Sequence, residues 1–250
     1  MNIILFLFAF LFNILRWDIL LRAKKIINYK GVYKFLNTHS KKMASETFKL
    51  LRYFTCISFK TDIPDYINLP ENFVIICNHQ SLVDIPFVFF TLPDHVIKFV
   101  AKKSLSKYIP LISICLRTGK HAIINQKRGF QKTKLELLKL SKLARTDNIC
   151  PLIFPEGTRS KTGKLGKFHS AAFRILCKHS KLPILSIALD GGHYLSHLYN
   201  VFNISSNIEL KLKILSVHNH PKDKTETDSL LEKIREEIES QLSIWKNNDS

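Results

Sequence analysis

From residue 65 onward, short apolar runs alternate with longer amphipathic segments, which is the pattern of strands and helices taking turns along a chain. The apolar runs predict strands at residues 73–77, 96–101, 122–124, 149–154 and 184–189, with two more between 201 and 217. The amphipathic segments predict helices at 86–92, 104–116, 129–145, 170–179 and 227–245. This alternation indicates an α/β fold with a mixed, mostly parallel sheet covered by helices on both faces.

The first 54 residues predict two helices instead of strands. Residues 3–15 are apolar apart from Asn13, and Arg16 and Asp18 precede a further apolar run. A helix over 3–15 spans roughly 20 Å, which is short of the ~30 Å hydrocarbon core of a bilayer. A second helix is predicted at 32–54, joined to the first at Gly31. We expect a helical hairpin that lies in or dips into a cytoplasmic membrane leaflet. A spanning helix, with the basic residues 22–60 on the cytoplasmic side, and a soluble pair packed on the core are the alternatives.

Composition strengthens the membrane interpretation. The chain is 46% hydrophobic with a formal net charge of +18, and residues 1–60 hold 11 basic and 2 acidic residues, a net charge of +9. Apolar and cationic character in one segment is typical of binding to an anionic membrane surface. No helix-turn-helix, RNA-recognition or zinc-finger pattern accompanies the charge, so nucleic acid is not an expected partner. The five cysteines form no C-x-x-C pair, which fits a reducing compartment.

These patterns divide the chain into three predicted regions: membrane-associating helices at 1–58, an α/β domain at 59–220, and an amphipathic helix packed on that domain at 221–250. In open α/β sheets, ligands bind beyond the carboxyl ends of the strands. Asn78 and His79 follow the first predicted strand of the domain, and Glu156 follows the fourth. We therefore expect these two loops to meet in space, although about 75 residues separate them.

The first loop contains a candidate general base. His79 and Asp84 are five residues apart, so on one helix their side chains would point about 140° apart. They meet only if His79 lies in the loop and Asp84 enters the following helix. The carboxylate would then accept the Nδ1–H, leave Nε2 free as a base and stabilise the imidazolium. A substrate hydroxyl is the proton donor in this hypothesis, and a structural or solvated pair is the alternative.

The second loop contains a candidate phosphate site. Gly157 permits a tight turn, and backbone N–H groups, the Thr158 hydroxyl and the Arg159 guanidinium would bind the phosphate. Glu156 would orient Arg159 or a substrate hydroxyl, and an exposed turn with a surface ion pair is the alternative. A metal site at His193 and His197 is a weaker option, because no third ligand accompanies them. We expect no metal.

Together these residues resemble the glycerophospholipid acyltransferase family, specifically the lysophosphatidic acid acyltransferases. Its N-H-x-x-x-x-D motif matches Asn78 to Asp84, and its F-P-E-G-T-R-S motif matches residues 154–160 without change. A third family block resembles residues 123–128, with Asn125 and Gln126 in place of the usual Asp and Arg. There the missing charge would come from the next two residues, which are possible secondary phosphate contacts: Lys127 and Arg128. The resemblance covers roughly residues 60–220.

The resemblance implies one-step acyl transfer to the 2-hydroxyl of 1-acylglycerol 3-phosphate, which gives phosphatidic acid in phospholipid biosynthesis. The implied catalytic residues are His79 and Asp84, and the implied phosphate-binding residues are Glu156, Gly157, Thr158 and Arg159. The acyl donor would be acyl-CoA or acyl carrier protein, without a cofactor, a metal or a covalent acyl-enzyme. The implied location is the cytoplasmic face of the inner membrane. A different lysolipid acceptor is the first alternative, and a non-catalytic basic membrane-binding module is a remote one.

Overall fold

The computed structural model describes residues 3–55, 57–125, 129–195 and 208–248. In these ranges the helices are α1 (Ile3–Ile27), α2 (Val32–Phe54), α3 (Asp84–Thr91), α4 (Ile112–Thr118), α5 (Phe130–Thr146), α6 (Ser170–Ser180) and α7 (Lys224–Asn248). The strands are β1 (Ile57–Asp62), β2 (Val74–Cys77), β3 (Val96–Lys102), β4 (Ala122–Ile124), β5 (Ile149–Ile153), β6 (Ile184–Asp190) and β7 (Ile208–His218). Short 3₁₀ turns follow β3 at Lys103–Ser106 and β6 at Gly192–Leu195.

All seven strands form one sheet in the order β1-β7-β6-β2-β5-β3-β4. Each neighbouring pair is parallel except β6 and β7, which are antiparallel. The predicted mixed, mostly parallel sheet is therefore confirmed. The central strands β2, β5 and β6 are buried along almost their whole length, as expected for parallel strands covered on both faces.

The side chains of β2 alternate between two hydrophobic cores, one on each face of the sheet. Ile75 and Cys77 belong to the core that includes residues of α2 and α3. Val74 and Ile76 belong to the core that includes residues of α5, α6 and α7. Period-two alternation of a strand divides its residues between the two faces in this way. Both helix layers are thus fixed to the strand that leads into the loop of His79.

Helices α1 and α2 form the predicted hairpin, and they pack on the first of these cores through Phe6, Phe48 and Leu51. Helix α1 continues through both of its charged residues instead of ending before them. Arg16 pairs with Glu46 of α2, and Asp18 accepts a hydrogen bond of 2.6 Å from Arg22. Partnered charges are less costly in an apolar helix than isolated ones, which explains the longer helix.

A row of large apolar side chains on α1 is exposed: Ile4, Leu5, Leu7, Phe8, Leu11, Phe12, Leu15, Ile19, Leu20, Ile26 and Ile27. Residues 4–27 are long and apolar enough to cross a membrane, and 28% of the most apolar window is buried inside the protein. The hairpin therefore packs on the domain with one side and presents an apolar surface with the other.

Three segments differ from the sequence prediction. Strand β1 was not predicted, because only its first residue is buried and its pairing partner β7 lies 150 residues later. The predicted helix at 104–116 is wrong in its first half, where a 3₁₀ turn and an irregular segment with positive φ at Tyr108 and Leu111 lead through Pro110 into α4. Of the two strands predicted between 201 and 217, the structure shows one, β7, and residues 201–207 lie outside the described residues.

Candidate active site

The loops after β2 and β5 meet at one edge of the sheet, because these two strands are neighbours and parallel. The backbone N–H of His79 donates to Glu156 Oε1 at 2.8 Å, and the N–H of Ser160 donates to the carbonyl oxygen of His79 at 2.7 Å. The ring of Phe154 stacks on the His79 ring with centroids 3.9 Å apart. The predicted meeting of the two loops is confirmed, and three separate contacts hold His79 against the second loop.

Asp84 holds the His79 ring from the other side. The distance from His79 Nδ1 to Asp84 Oδ2 is 2.8 Å. The same carboxylate oxygen accepts hydrogen bonds from the backbone N–H groups of Gln80 at 2.7 Å and Ser81 at 2.9 Å. Asp84 is the first residue of α3, where the helix dipole favours negative charge. The predicted geometry is confirmed: the histidine lies in the loop and the carboxylate enters the helix.

These contacts fix the tautomer of His79. An oxygen that already accepts two backbone N–H groups is an acceptor for the ring as well, so Nδ1 carries the hydrogen. The Nε2 lone pair is then available, and within the described residues Nε2 has no hydrogen-bond partner. The His79 side chain is 15% exposed, which leaves it accessible to a small reacting group. The arrangement can remove a proton from a hydroxyl placed at Nε2.

Glu156 joins the two loops through both of its carboxylate oxygens. It is buried, and its Oε2 accepts the N–H of Gly166 at 2.8 Å while Oε1 accepts that of His79. Burial raises the pKa of this carboxyl, and the two backbone donors act in the opposite direction. A Cβ on Gly166 would lie 2.7 Å from Oε2, so the glycine allows this close approach. The geometry therefore adds a positioning role for Glu156, and its contact with Arg159 or substrate stays a prediction.

The turn that follows Glu156 presents the predicted phosphate-binding groups to solvent. Gly157 has a φ of 65°, a left-handed conformation that glycine adopts without strain, and its N–H donates to Phe154 O at 3.0 Å. Thr158 and Arg159 are exposed. The Gly157 N–H is thus occupied within the turn, whereas the Thr158 hydroxyl and the Arg159 guanidinium remain available for an anion. Residues 127 and 128 lie outside the described residues.

Several side chains support the site through contacts that the sequence did not predict. The Asn78 side chain is buried and bridges the backbone of Leu189, with Nδ2 2.8 Å from its carbonyl oxygen and Oδ1 2.8 Å from its nitrogen. Gln80 Nε2 donates to Asp190 Oδ1 at 3.2 Å. These contacts join the end of β2 to the end of β6. Asn78 begins the motif and Gln80 lies within it, but their contacts were not visible in the sequence, because their partners are about 110 residues away.

The loop after β6 completes the support of Asp84. A Cβ on Gly192 would lie 2.9 Å from Asp84 Oδ1, so a larger residue would displace the carboxylate. The neighbouring His193 donates its backbone N–H to Gln80 Oε1 at 3.2 Å, and burial lowers the pKa of its ring. His197, the second residue of the weaker metal hypothesis, lies outside the described residues. Within the described ranges, no group of three metal-ligating side chains was found.

A buried thiol lies two residues before His79, but its chemistry does not suit a nucleophile. Cys77 is fully buried in the core under the loop. Burial, and then the negative charges of Asp84 and Glu156, raise its pKa well above the usual range. Because the thiolate is the reactive form of cysteine, Cys77 is inert at neutral pH.

A cavity of about 250 Å³ lies under the loop that contains His79, between the hairpin, α3, α4 and β3. Its wall includes Leu82 and Ile85, which flank Asp84 in the sequence, and it continues to residues 96–99 of β3. Most of the lining is aliphatic or aromatic: Phe10, Ile14, Leu36, Met43, Phe89, Val96, Ile97, Phe99, Leu105, Leu111, Ile112 and Leu116. This space can take an apolar chain that begins near His79.

Comparison with known proteins agrees with this geometry. The profile of a family described as Acyltransferase matches residues 58–190. A 1-acyl-sn-glycerol-3-phosphate acyltransferase of Cocos nucifera is 35% identical over 121 residues, which cover 48% of this chain and 38% of the coconut protein. The protein of that name in Saccharomyces cerevisiae is 32% identical over 170 residues, which cover 66% of this chain and 54% of the yeast protein. The matched part is thus between about two fifths and half of each relative.

A solved structure shares the fold over nearly the whole chain. It is the crystal structure of the 1-acyl-sn-glycerophosphate (LPA) acyltransferase PlsC from Thermotoga maritima, with a TM-score of 0.72 and 22% identity. The match covers 97% of this chain and 95% of that one. It includes the hairpin as well as the sheet, because residues 1–54 make up more than a fifth of the sequence. With the family match over more than half of its length, the chain belongs to the acyltransferase family.

Proposed function

We propose that the protein transfers a fatty acyl group from acyl-CoA or acyl carrier protein to the 2-hydroxyl of 1-acylglycerol 3-phosphate, giving phosphatidic acid. The observation that carries this proposal is the oriented His79–Asp84 pair, held against the F-P-E-G-T-R-S turn by Glu156 and Phe154. A base beside an available anion-binding turn suits an acceptor that contains both a hydroxyl and a phosphate. The names of the relatives support the same acceptor.

In the proposed reaction, His79 Nε2 takes the proton of the acceptor hydroxyl, and the hydroxyl oxygen attacks the carbonyl carbon of the thioester. The carbon–sulfur bond then breaks, and the leaving thiolate takes the proton from the imidazolium to become the free thiol. Asp84 keeps Nδ1 protonated and stabilises the positive ring between these two steps. No serine or cysteine nucleophile takes part, in agreement with the inert Cys77. No cofactor and no metal are required for this step.

Arg159 and Thr158 are the proposed phosphate ligands, because a guanidinium and a hydroxyl on an exposed turn can surround a phosphate oxygen. Gly157 shapes the turn and Glu156 fixes its distance from His79. Lys127 and Arg128 follow β4, whose carboxyl end lies at the same edge of the sheet. They stay proposed secondary contacts on the strength of the resemblance alone.

The cavity under the catalytic loop is the proposed site of the donor's acyl chain. Its wall reaches Leu82 beside the loop, and its lining is mostly apolar, as a fatty chain requires. The exposed apolar side of α1, with the basic residues of the hairpin, is the proposed membrane contact. We place this contact on the cytoplasmic leaflet, where anionic lipids attract the lysines and where acyl donors are found.

The test is a thiol-release assay with the full chain, an acyl-CoA donor and lysophosphatidic acid in vesicles, with phosphatidic acid as the second readout. His79→Ala removes the base and should lower turnover at least a hundredfold, the usual contribution of general base catalysis. Asp84→Asn should also lower turnover, because an amide can no longer favour the protonated Nδ1. His179→Ala, on α6 and away from both loops, is the matched control. Wild-type turnover in the His79 variant would refute the mechanism.

A panel of acceptors separates this proposal from the alternatives. Lysophosphatidylcholine and other lysolipids are offered beside lysophosphatidic acid, and preference for one of them would reassign the acceptor. Vesicle binding without thiol release from any donor would indicate a membrane-binding module. Retention on DNA that falls steeply with salt would indicate a nucleic-acid partner instead.

A further inference from the structure

His193 is a residue of the weaker metal hypothesis to which the proposed reaction gives no role. It belongs to the 3₁₀ turn after β6, at the same edge of the sheet as His79, because β6 and β2 are parallel neighbours. Its side chain is 17% exposed and contacts two other loops. One contact is with Gln80, next to His79, and the other is with Gly163, four residues after Arg159. A single imidazole thus joins the loops that follow β2, β5 and β6.

The contact with Gln80 is a hydrogen bond of defined direction. The Gln80 Nε2 donates to Asp190 Oδ1 at 3.2 Å, and its Oε1 accepts the backbone N–H of His193 at 3.2 Å. The same Oε1 lies 3.3 Å from His193 Nδ1, so Nδ1 carries the hydrogen of the ring. Burial lowers the pKa of this ring, with the charge of Asp190 acting in the opposite direction. The imidazole is therefore a neutral donor to Gln80 near pH 7.

The contact with Gly163 is one of close packing. A Cβ on Gly163 would lie 2.9 Å from Nδ1 and Cε1 of His193, so the ring lies directly on the glycine backbone. Gly163 has a φ of 76°, which glycine adopts without strain. The segment around it is closed by the Ser160 hydroxyl, which donates to the carbonyl oxygen of Lys164 at 2.7 Å. A displacement of Gly163 is therefore passed on to residues 157–159, which we call the phosphate turn.

The phosphate turn is held on its other side by contacts with His79. Glu156 accepts the backbone N–H of His79, and the Ser160 N–H donates to the His79 carbonyl oxygen. The turn itself is exposed, so its position relative to His79 depends on the segments before and after it. The segment after it is the one that packs on His193.

We propose that His193 is a positioning residue for the acceptor, which holds the phosphate turn at the distance from His79 that lysophosphatidic acid requires. This inference rests on the proposed function, because it takes the phosphate turn as the acceptor site. The imidazole acts through Gln80 and Gly163 and does not touch the acceptor. Without it the turn samples more conformations, and the phosphate must order the turn when it binds, at a cost in entropy. The loss is therefore expected in acceptor binding, since the base and the donor site are unchanged.

The experiment measures kcat and KM separately for lysophosphatidic acid in vesicles and for one acyl-CoA donor, with the full chain. His193→Leu removes the side-chain hydrogen bond to Gln80. It should raise the KM for lysophosphatidic acid about tenfold and leave kcat and the KM for acyl-CoA within about twofold, as the loss of one hydrogen bond predicts. His95→Leu is the matched control, because His95 is also partly buried and contacts a carbonyl oxygen, that of Pro70, but precedes β3 at the opposite edge of the sheet. It should leave these constants unchanged.

Conservative variants separate a positioning role from direct contact with the phosphate. The amide nitrogen of asparagine takes a position close to that of Nδ1, and that of glutamine a position close to that of Nε2. His193→Asn should therefore restore most of the acceptor KM, whereas His193→Gln should behave like His193→Leu. Within the described residues Nε2 of His193 has no hydrogen-bond partner, so a direct phosphate ligand would act through this atom and give the opposite order.

Gly163→Ala tests the second contact and keeps the histidine. Its methyl group would lie 2.9 Å from the ring, so the ring and the loop must separate, and the KM for lysophosphatidic acid should rise while that for acyl-CoA stays the same. An unchanged acceptor KM in both His193→Leu and Gly163→Ala, or rescue by glutamine and not by asparagine, overturns the positioning role alone. Absence of transfer by the wild-type protein overturns the proposed function, and this inference with it.

Discussion

Replacing Lys98 by methionine should change the pH dependence of stability in a direction that the structure fixes. The pKa of Lys98 is about 7 in the folded protein and near 10.5 when the chain is unfolded. Below pH 7 both states hold the proton, so the cost of the buried ammonium is complete. Between pH 7 and 10.5 only the unfolded state holds it, and the free energy of unfolding of the wild type therefore rises with pH.

The size of this effect follows from the same two pKa values. Each pH unit in this window contributes about 1.4 kcal/mol to the free energy of unfolding. From pH 7 to pH 9 the wild type should gain about 2–3 kcal/mol relative to Lys98→Met, in which this titration is absent. For a chain of this size that corresponds to a change of about 5–10 °C in the gap between the two melting temperatures.

Thermal unfolding followed by tryptophan fluorescence, in one detergent at pH 7, 8 and 9, measures this gap. The variant should melt above the wild type at pH 7, and the difference should shrink as the pH rises. Lys132→Met, at an exposed position of α5, controls for the loss of one positive charge. A gap that stays constant from pH 7 to pH 9 would show that Lys98 is not a buried titrating group, and would refute the reasoning.

Three further predictions concern the site and the hairpin. Glu156→Gln replaces an accepting oxygen with a donor, so a backbone N–H of His79 or Gly166 loses its partner at a cost of about 1–3 kcal/mol. In the thiol-release assay kcat should fall at least tenfold. An unchanged kcat would exclude the positioning role. Gly192→Ala places a methyl group 2.9 Å from Asp84 Oδ1, so it should lower kcat clearly while it changes the melting temperature only slightly. A variant with full turnover would contradict this prediction. Phe8→Asp with Phe12→Asp changes side chains that are 68% and 60% exposed, and should weaken co-sedimentation with anionic vesicles at least tenfold; unchanged binding would place the membrane contact elsewhere.

Much of the architecture was determined locally by the sequence. The buried run before Asn78, the helical periodicity of residues 129–145 and the apolar start of the chain each predicted an element that the structure shows. Local periodicity is sufficient for such elements, because a strand or an amphipathic helix buries residues at a fixed spacing. The two motifs also identified His79, Asp84 and the turn at residues 156–159 before their neighbours were known, and their chemical roles stay proposals.

The tertiary structure decided what those local patterns leave open. Strand β1 depends on β7, which follows it by about 150 residues, and its exposed residues carry no strand signal of their own. The order of the strands brings Glu156 next to His79, where its two carboxylate oxygens accept hydrogen bonds from the backbone of His79 and Gly166. Lys98 sits in a run that reads as an ordinary strand, and only the packing of α2 and α4 against β3 buries it in a cavity. The periodicity of the sequence predicts which residues of an element are buried. Which other element buries them depends on contacts between distant parts of the chain.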